Sequence, residues 1–145
     1  MIKIKIVTYD NQNEKIIRSI RDDVFINEQG IDPKIEFDGL DDSAIHTIIF
    51  VNEKPVGTGR VLKDGHIGRI AVLSEFRGQS IGSKIIYSLT DVAIKNDYQR
   101  VYLGSQKHAI DFYTKLGFTP FGEEFIEAGI VHLSMQKLLD FTKNR

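Results

Sequence analysis

The segment Arg77-Gly78-Gln79-Ser80-Ile81-Gly82-Ser83 has the composition of an anion cradle. Small residues let a backbone approach an anion closely. If a helix starts here, its first N–H groups lack intrahelical partners and point outward. Together with the helix dipole they suit a pyrophosphate. Arg77 and Lys84 add positive charge. A plain strand-to-helix turn would have the same composition, and the segment alone leaves both readings open. Other phosphate loops fit worse. A Walker A loop needs G-x-x-x-x-G-K-[ST], and Gly78 and Gly82 are too close for it. A Rossmann fingerprint needs three glycines, where this loop has two.

The remaining chemistry is set by what is present and what is missing. There is no cysteine, which excludes disulfides, thiolate zinc sites and a cysteine nucleophile. Residues 32–42 carry Asp32, Glu36, Asp38, Asp41 and Asp42 against the single Lys34. Three readings are open for them: a solvated loop, an acidic lip in which Asp38 and Asp41 attract a cationic amine, and a metal set of Asp38, Asp41, Asp42 and His46. The last is the least favoured, since loop carboxylates are common, and no metal is expected.

Elements must hold these groups in place. Ile2, Ile4 and Ile6 alternate with Lys3 and Lys5, the pattern of a half-buried strand. Ile16, Ile17, Ile20 and Val24 recur at helical spacing, so a helix is expected over 13–27. Gly30, Pro33 and Gly39 mark 28–44 as a loop or broken helix. Strands are expected at 45–51, 55–62 and 66–73, with turns at Asn52-Glu53-Lys54 and Lys63-Asp64-Gly65. The cradle follows, then a helix over 81–96 that presents Ile81, Ile85, Leu89, Val92 and Ala93 on one face. A strand at 100–104 completes a right-handed parallel βαβ unit. A second helix over 107–116 is stopped by Gly117. Strands at 118–125 and 130–137 close the chain. The order β-α-β-β-β-α-β-α-β-β predicts an α/β (α+β) fold, a mixed sheet of six to seven strands with flanking helices.

Composition agrees. The 145 residues suit one domain spanning 1–145, with 41% hydrophobic and 27% charged residues. A formal net charge of −1 argues against a whole-chain footprint for nucleic acid. No stretch approaches the roughly 20 apolar residues that span a bilayer, and the alternating N-terminus is no signal-peptide core. A cytoplasmic protein that binds neither nucleic acid nor membrane is expected.

The run Gly68-Arg69-Ile70-Ala71-Val72-Leu73…Arg77-Gly78-Gln79-Ser80-Ile81-Gly82 resembles the acetyl-CoA signature Q/R-x-x-G-x-G/A of GNAT acetyltransferases. Arg77 and Gly82 match its ends, and Ser80 replaces its central glycine. The block from His108 to Phe118 is similar to the family's A-x-x-F-Y-x-K-x-G-F. Val24-Phe25-Ile26-Asn27-Glu28-Gln29 resembles the V-F-V-x-E-Q segment of the ElaA/YjcF-like branch. Glu36 to Asp42 with His46, and Gly129-Ile130-Val131-His132, resemble that branch's E-x-D-x-x-D…H and G-I-x-H stretches. The resemblance covers about residues 1–138.

The resemblance implies an N-acetyltransferase that uses acetyl-CoA as co-substrate. The acetyl group passes to a primary amine of a small molecule or peptide by direct attack in a ternary complex. A non-catalytic acyl-CoA-binding sensor or interaction module on the same fold is the alternative, and a regulatory domain binding another nucleotide is a third. The family's central parallel strands splay apart for the cofactor. Backbone groups of Ile70, Ala71 and Val72 are then expected to bind pantetheine. Amides of Gly78, Gln79, Ser80, Ile81, Gly82 and Ser83, with Arg77, are expected to hold the pyrophosphate. Gln106 stands where many members place a pantetheine-binding Asn. Ala109, Phe112 and Tyr113 share a helix face toward the cofactor, Phe112 filling the core and Tyr113 donating to the leaving thiolate. Tyr113 also fits a purely aromatic core role. Only about one in 10³ of a lysine-like amine is free at neutral pH, so a base is needed. Glu28, His46, His132 and a carboxylate-relayed water are the candidates. The assembly stays open, a homodimer being common in the family.

Overall fold

The computed structural model describes residues 1–139. Strands β1 (Ile2–Val7), β2 (Ile45–Val51), β3 (Lys54–Val61) and β4 (Ile67–Val72) form one antiparallel sheet in that order. In the second sheet β8 (Ile130–Leu138) pairs antiparallel with β5 (Arg100–Gln106), β6 (Thr119–Pro120) and β7 (Phe125–Glu127). Helices α1 (Asn11–Arg21), α2 (Pro33–Glu36), α3 (Ile81–Lys95) and α4 (Ile110–Lys115) connect the strands, α1 packing on β3 and β4 and α3 chiefly on β2, β3 and β4.

The mixed α/β fold is as expected, with eight strands in place of six or seven. The extra strand comes from the segment expected as a single strand over 118–125. Pro120 lacks a ladder donor and Gly122 takes φ +73°, so pairing is interrupted between β6 and β7. The first helix also differs. It is α-helical only to Arg21 and continues as a wider π-helical turn, Asp22–Glu28. The β2–β3 turn forms as expected: Asn52 and Glu53 take φ +49° and +72°, the primed geometry that matches strand twist.

Helix α3 buries Ile81, Ile85, Ile86, Leu89, Thr90 and Ala93. Val92, expected on this face, is only half-buried. Its isoleucines and Leu89 join Ile49, Val56, Val101, Leu103, Phe118 and Met135 in one core that spans both sheets. Each such side chain contributes about 1.5–3 kcal/mol by leaving water. This core ties the two sheets together where their backbones do not.

The sheets meet at β4 and β5 through one parallel bridge, His66 with Tyr102. There the Tyr102 N–H donates to the Gly65 carbonyl at 3.0 Å. A Cβ on Gly65 would lie 2.3 Å from the Arg100 carbonyl oxygen, so only glycine permits this approach. Past the bridge β4 pairs with β3 alone and β5 with β8. A bulge bends β4 at that point. Thr58 faces Ala71 and Arg60 faces Gly68, so Arg69 and Ile70 together oppose Gly59. Arg69 takes φ +53° to make the bulge.

Candidate active site

Between the separated strands lies a cavity of about 900 Å³. Its walls include Ile70 and Val72 of β4, Leu103, Gly104 and Gln106 of β5, and the loop entering α3. The strand edges facing it carry N–H and C=O groups that no neighbouring strand takes up. An extended, amide-bearing ligand is the natural partner for such an edge.

At one end, the Lys84 N–H donates to the Ser80 carbonyl at 3.2 Å as the first bond of α3. The N–H groups of Ile81, Gly82 and Ser83 therefore have no helical acceptor. All three residues line the cavity, with Arg77, Gly78 and Ser80. Ser80 takes φ +64°, the left-handed conformation in which the family signature has glycine. A Cβ on Gly82 would project toward Phe112, 3.4 Å from its Cζ. A single added carbon is accommodated there, and a bulkier, branched side chain would press on Phe112. Gln79 and Ala71 lie off the lining; Ala71 is buried against Ile20 and Val24.

Arg77 is already engaged. It donates from Nη1 and Nη2 to the two carboxylate oxygens of Glu28 and from Nε to the Val72 carbonyl. The hydrogen bond from Arg77 holds the Glu28 carboxyl below its ordinary value. Two residues expected to act separately, one as base and one on phosphate, are here each other's partner.

Tyr113, Ala109 and Phe112 also line the cavity. Phe112 does not fill the core as expected: it is 38% exposed and packs edge-on against Tyr113. Burial pushes the Tyr113 phenol up to about 12. His132 lines the cavity too, and its Nδ1 lies 2.7 Å from the Ile130 carbonyl. A carbonyl only accepts, so Nδ1 carries a proton and Nε2 is the ring nitrogen left to meet a substrate. Phe125 stacks on the His132 ring at 5.5 Å and lies over Gly104, where a Cβ would meet its Cζ at 2.8 Å. The imidazole is thereby fixed in place and in tautomer.

His46, Asp38 and Asp41 are not among the lining residues. His46 is 1% exposed, stacks on Tyr9 and bonds through Nε2 to the Asp41 carbonyl at 3.0 Å. Burial lowers its pKa. It has no route to a substrate. The aspartates do not form a free acidic lip either, because three arginines that the sequence did not single out neutralise them. Arg21 donates to Glu36 Oε2 at 2.6 Å and to Asp41 Oδ1 at 2.7 Å. Arg60 holds Asp38 at 2.7 Å and Asp41 at 2.9 Å. Arg69, from the bulge, donates to the carbonyls of Glu36 and Ile35 at 3.1 and 3.2 Å and reaches Asp38 at 3.3 Å. Burial raises Asp38 and Asp41, but the arginine hydrogen bonds and charges outweigh it and leave both below the ordinary carboxylate value. For Glu36 burial prevails and its carboxyl lies above that value. This network straps residues 35–41 to the sheet. Among the described residues no group of three or more His, Cys, Asp or Glu is placed to hold a metal. No helix there is long and apolar enough to cross a membrane.

The model of the acetyltransferase (GNAT) domain family matches residues 14–139. The chain belongs to this family. YjcF of Bacillus subtilis (strain 168), an uncharacterized N-acetyltransferase, is 37% identical over 122 residues, covering 81% of this chain and 87% of that protein. The crystal structure of Escherichia coli ElaA superposes with a TM-score of 0.83 at 28% identity, over 94% of this chain and 99% of that one. Both place the chain in the ElaA/YjcF-like branch. A GNAT acetyltransferase from Elizabethkingia anophelis, solved with acetyl-CoA bound, shares the fold with a TM-score of 0.71 at 21% identity over 95% of this chain and 98% of that one.

Proposed function

We propose that this GNAT acetyltransferase moves the acetyl group of acetyl-CoA to a primary amine within a ternary complex. The observation that carries the reading is the opening between β4 and β5, which runs from the free N–H groups of α3 to Tyr113 and His132. Bound acetyl-CoA supplies the activated acetyl group as a thioester. The N–H groups of Ile81, Gly82 and Ser83 would hold its pyrophosphate, and the β4 edge at Ile70 and Val72 and the Gln106 side chain would take its amides. Arg77 stays paired with Glu28 in this reading, and both lie on the cavity wall.

The chain then has two protons to manage. His132 Nε2 accepts a proton from the acceptor amine as the new C–N bond forms and the C–S bond breaks. Tyr113 donates a hydrogen bond to the departing sulfur. Holding both substrates together supplies the rest by proximity, and no cysteine or metal is asked to act. Glu28 is a weaker choice as base, being tied to Arg77. An acceptor screen with acetyl-CoA, reading released thiol, tests the reading. Tight acetyl-CoA binding with no thiol released from any amine would overturn it.

A further inference from the structure

We infer that the acceptor is a primary amine carrying one positive charge on an apolar body, an alkylamine or arylalkylamine, and that Glu127 meets its ammonium group. This rests on the acetyltransfer reading and names the substrate class of that same site. Six charged side chains line the cavity: Glu28, Glu36, Arg60, Arg69, Arg77 and Glu127. Arg77 and Glu28 neutralise each other. Glu36, Arg60 and Arg69 belong to the network with Arg21, Asp38 and Asp41, where three arginines face three carboxylates. Glu127 is left as the lining charge with no ion-pair partner among the described residues.

Its position suits a substrate. In the β7–β8 hairpin Phe125 pairs with His132 and Glu127 with Ile130. Alternation puts all four on one face of the ladder, the face that looks into the cavity. Glu127 stands at the outer end, beside the Ala128-Gly129 turn, and His132 lies one ladder step inward. The two residues are diagonal neighbours, about 7–8 Å apart at the backbone, so an ammonium held between their side chains meets the Glu127 carboxylate and stays within reach of the imidazole. The segment after α1 adds the apolar side chains of Phe25, Ile31 and Ile35 to the lining, beside the already paired Glu28 and Glu36. Ile35 is 50% exposed, an uncovered isoleucine on the wall of a cleft.

The same facts exclude other amines. An amino acid brings a carboxylate, but the guanidinium groups of Arg60 and Arg69 are committed to carboxylates and carbonyls. A polyamine brings several charges and finds one unpaired carboxylate. A monoamine with an apolar chain satisfies both the charge and the wall.

The test is steady-state thiol release by the full chain with acetyl-CoA and n-butylamine, n-hexylamine, phenethylamine, spermidine, leucine and a lysine-containing peptide. The expected result is that kcat/KM for n-alkylamines rises about two- to fourfold per methylene, for partial to full burial of each group, and exceeds that for spermidine, leucine and the peptide. Glu127→Gln should raise the KM for n-hexylamine about fivefold with acetyl-CoA affinity, read by calorimetry, unchanged. Ile35→Ser should flatten the chain-length series. Preference for spermidine, leucine or the peptide overturns this acceptor class and leaves acetyltransfer standing. So does an unchanged KM in a folded Glu127→Gln protein. Thiol release from none of them, with acetyl-CoA bound, overturns this acceptor class, and acetyltransfer falls with it only when the wider amine screen also releases no thiol.

Discussion

Replacing Tyr113 by Phe removes one oxygen and keeps the ring packed against Phe112 and Phe118. The size of the loss follows from the environment of the phenol. Burial pushes Tyr113 up to about 12, whereas an alkyl thiol lies near 8.5. Full proton transfer from Tyr113 to the leaving thiolate would therefore run uphill by about 3.5 pK units, or about 5 kcal/mol. The phenol consequently acts as a hydrogen-bond donor to developing negative charge, not as a proton source. Such a charge-assisted bond contributes about 1.5–3 kcal/mol, so Tyr113→Phe should lower kcat about 10- to 150-fold. Acetyl-CoA affinity by calorimetry should stay within about twofold, because the bond strengthens only as charge develops. The melting temperature should move by no more than about 2 °C, since no buried partner is orphaned. The assay is single-turnover thiol release, which isolates chemistry from product departure. Because Tyr113 keeps its proton to about pH 11, its ionisation should produce no alkaline loss of rate below that pH. Full single-turnover rate in the variant refutes the assignment. An alkaline limb near pH 9 that vanishes in Tyr113→Phe refutes the burial argument.

Gly82→Val would fill the space between the start of α3 and Phe112, and acetyl-CoA affinity by calorimetry should fall tenfold or more with the circular dichroism spectrum retained; unchanged affinity in a folded protein would place the phosphates elsewhere. Asp41→Asn removes the charge that Arg21 and Arg60 share inside the protein, and urea unfolding should show a loss of about 3–5 kcal/mol; a loss below about 1 kcal/mol would mean that water replaces the carboxylate. Burial lowers the pKa of His46 and of His66 from the ordinary 6.5, so the unfolded chain binds protons there before the folded one and stability should fall as pH drops through 6.5. Asp38 and Asp41 are shifted below 3.8 and contribute their own loss only below about pH 4. The urea midpoint should be lower at pH 5.5 than at pH 7.5, and the difference should shrink in His46→Gln; equal midpoints would sink this reading.

Local chemistry was readable along the chain where neighbouring residues supply it. The start of α3 after Ser80, the Asn52-Glu53 turn and the Gly117 stop each depend on backbone demands met within a few residues, and each formed where expected. His46 and His132 show where such reading ends. Both are strand histidines with alternating neighbours, and the pleat gives each a face. Which face meets a cavity depends on the separation of β4 from β5, and that is a property of the whole sheet. The arginine network was hidden for a related reason. Arg21 lies 15 and 20 residues from its partners Glu36 and Asp41, so the acidic run looked unbalanced although its counter-charges lay on α1, β3 and β4. The bulge had no sequence signal either, because Ile67–Val72 reads as an ordinary strand.

That bulge connects the folding network to the site. A non-glycine residue in the left-handed region costs about 1–2 kcal/mol, and Arg69 accepts that conformation at φ +53°. Its guanidinium offsets the strain through the Glu36 and Ile35 carbonyls and Asp38. Those bonds act on both ends. They hold β4 in the bent path that leaves its edge unpaired beyond the His66–Tyr102 bridge, and they fix the backbone of the segment that carries Ile35 and Glu36 to the cavity wall. The acidic run therefore serves the site through architecture. By cancelling the charge of Arg21, Arg60 and Arg69 it keeps this side of the cavity near neutral, which makes one additional carboxylate decisive for which cation the cavity admits. Arg69→Lys keeps the charge and loses the multiple directed donors, so it separates the two contributions: geometry at the bulge would change while the balance of charge would not.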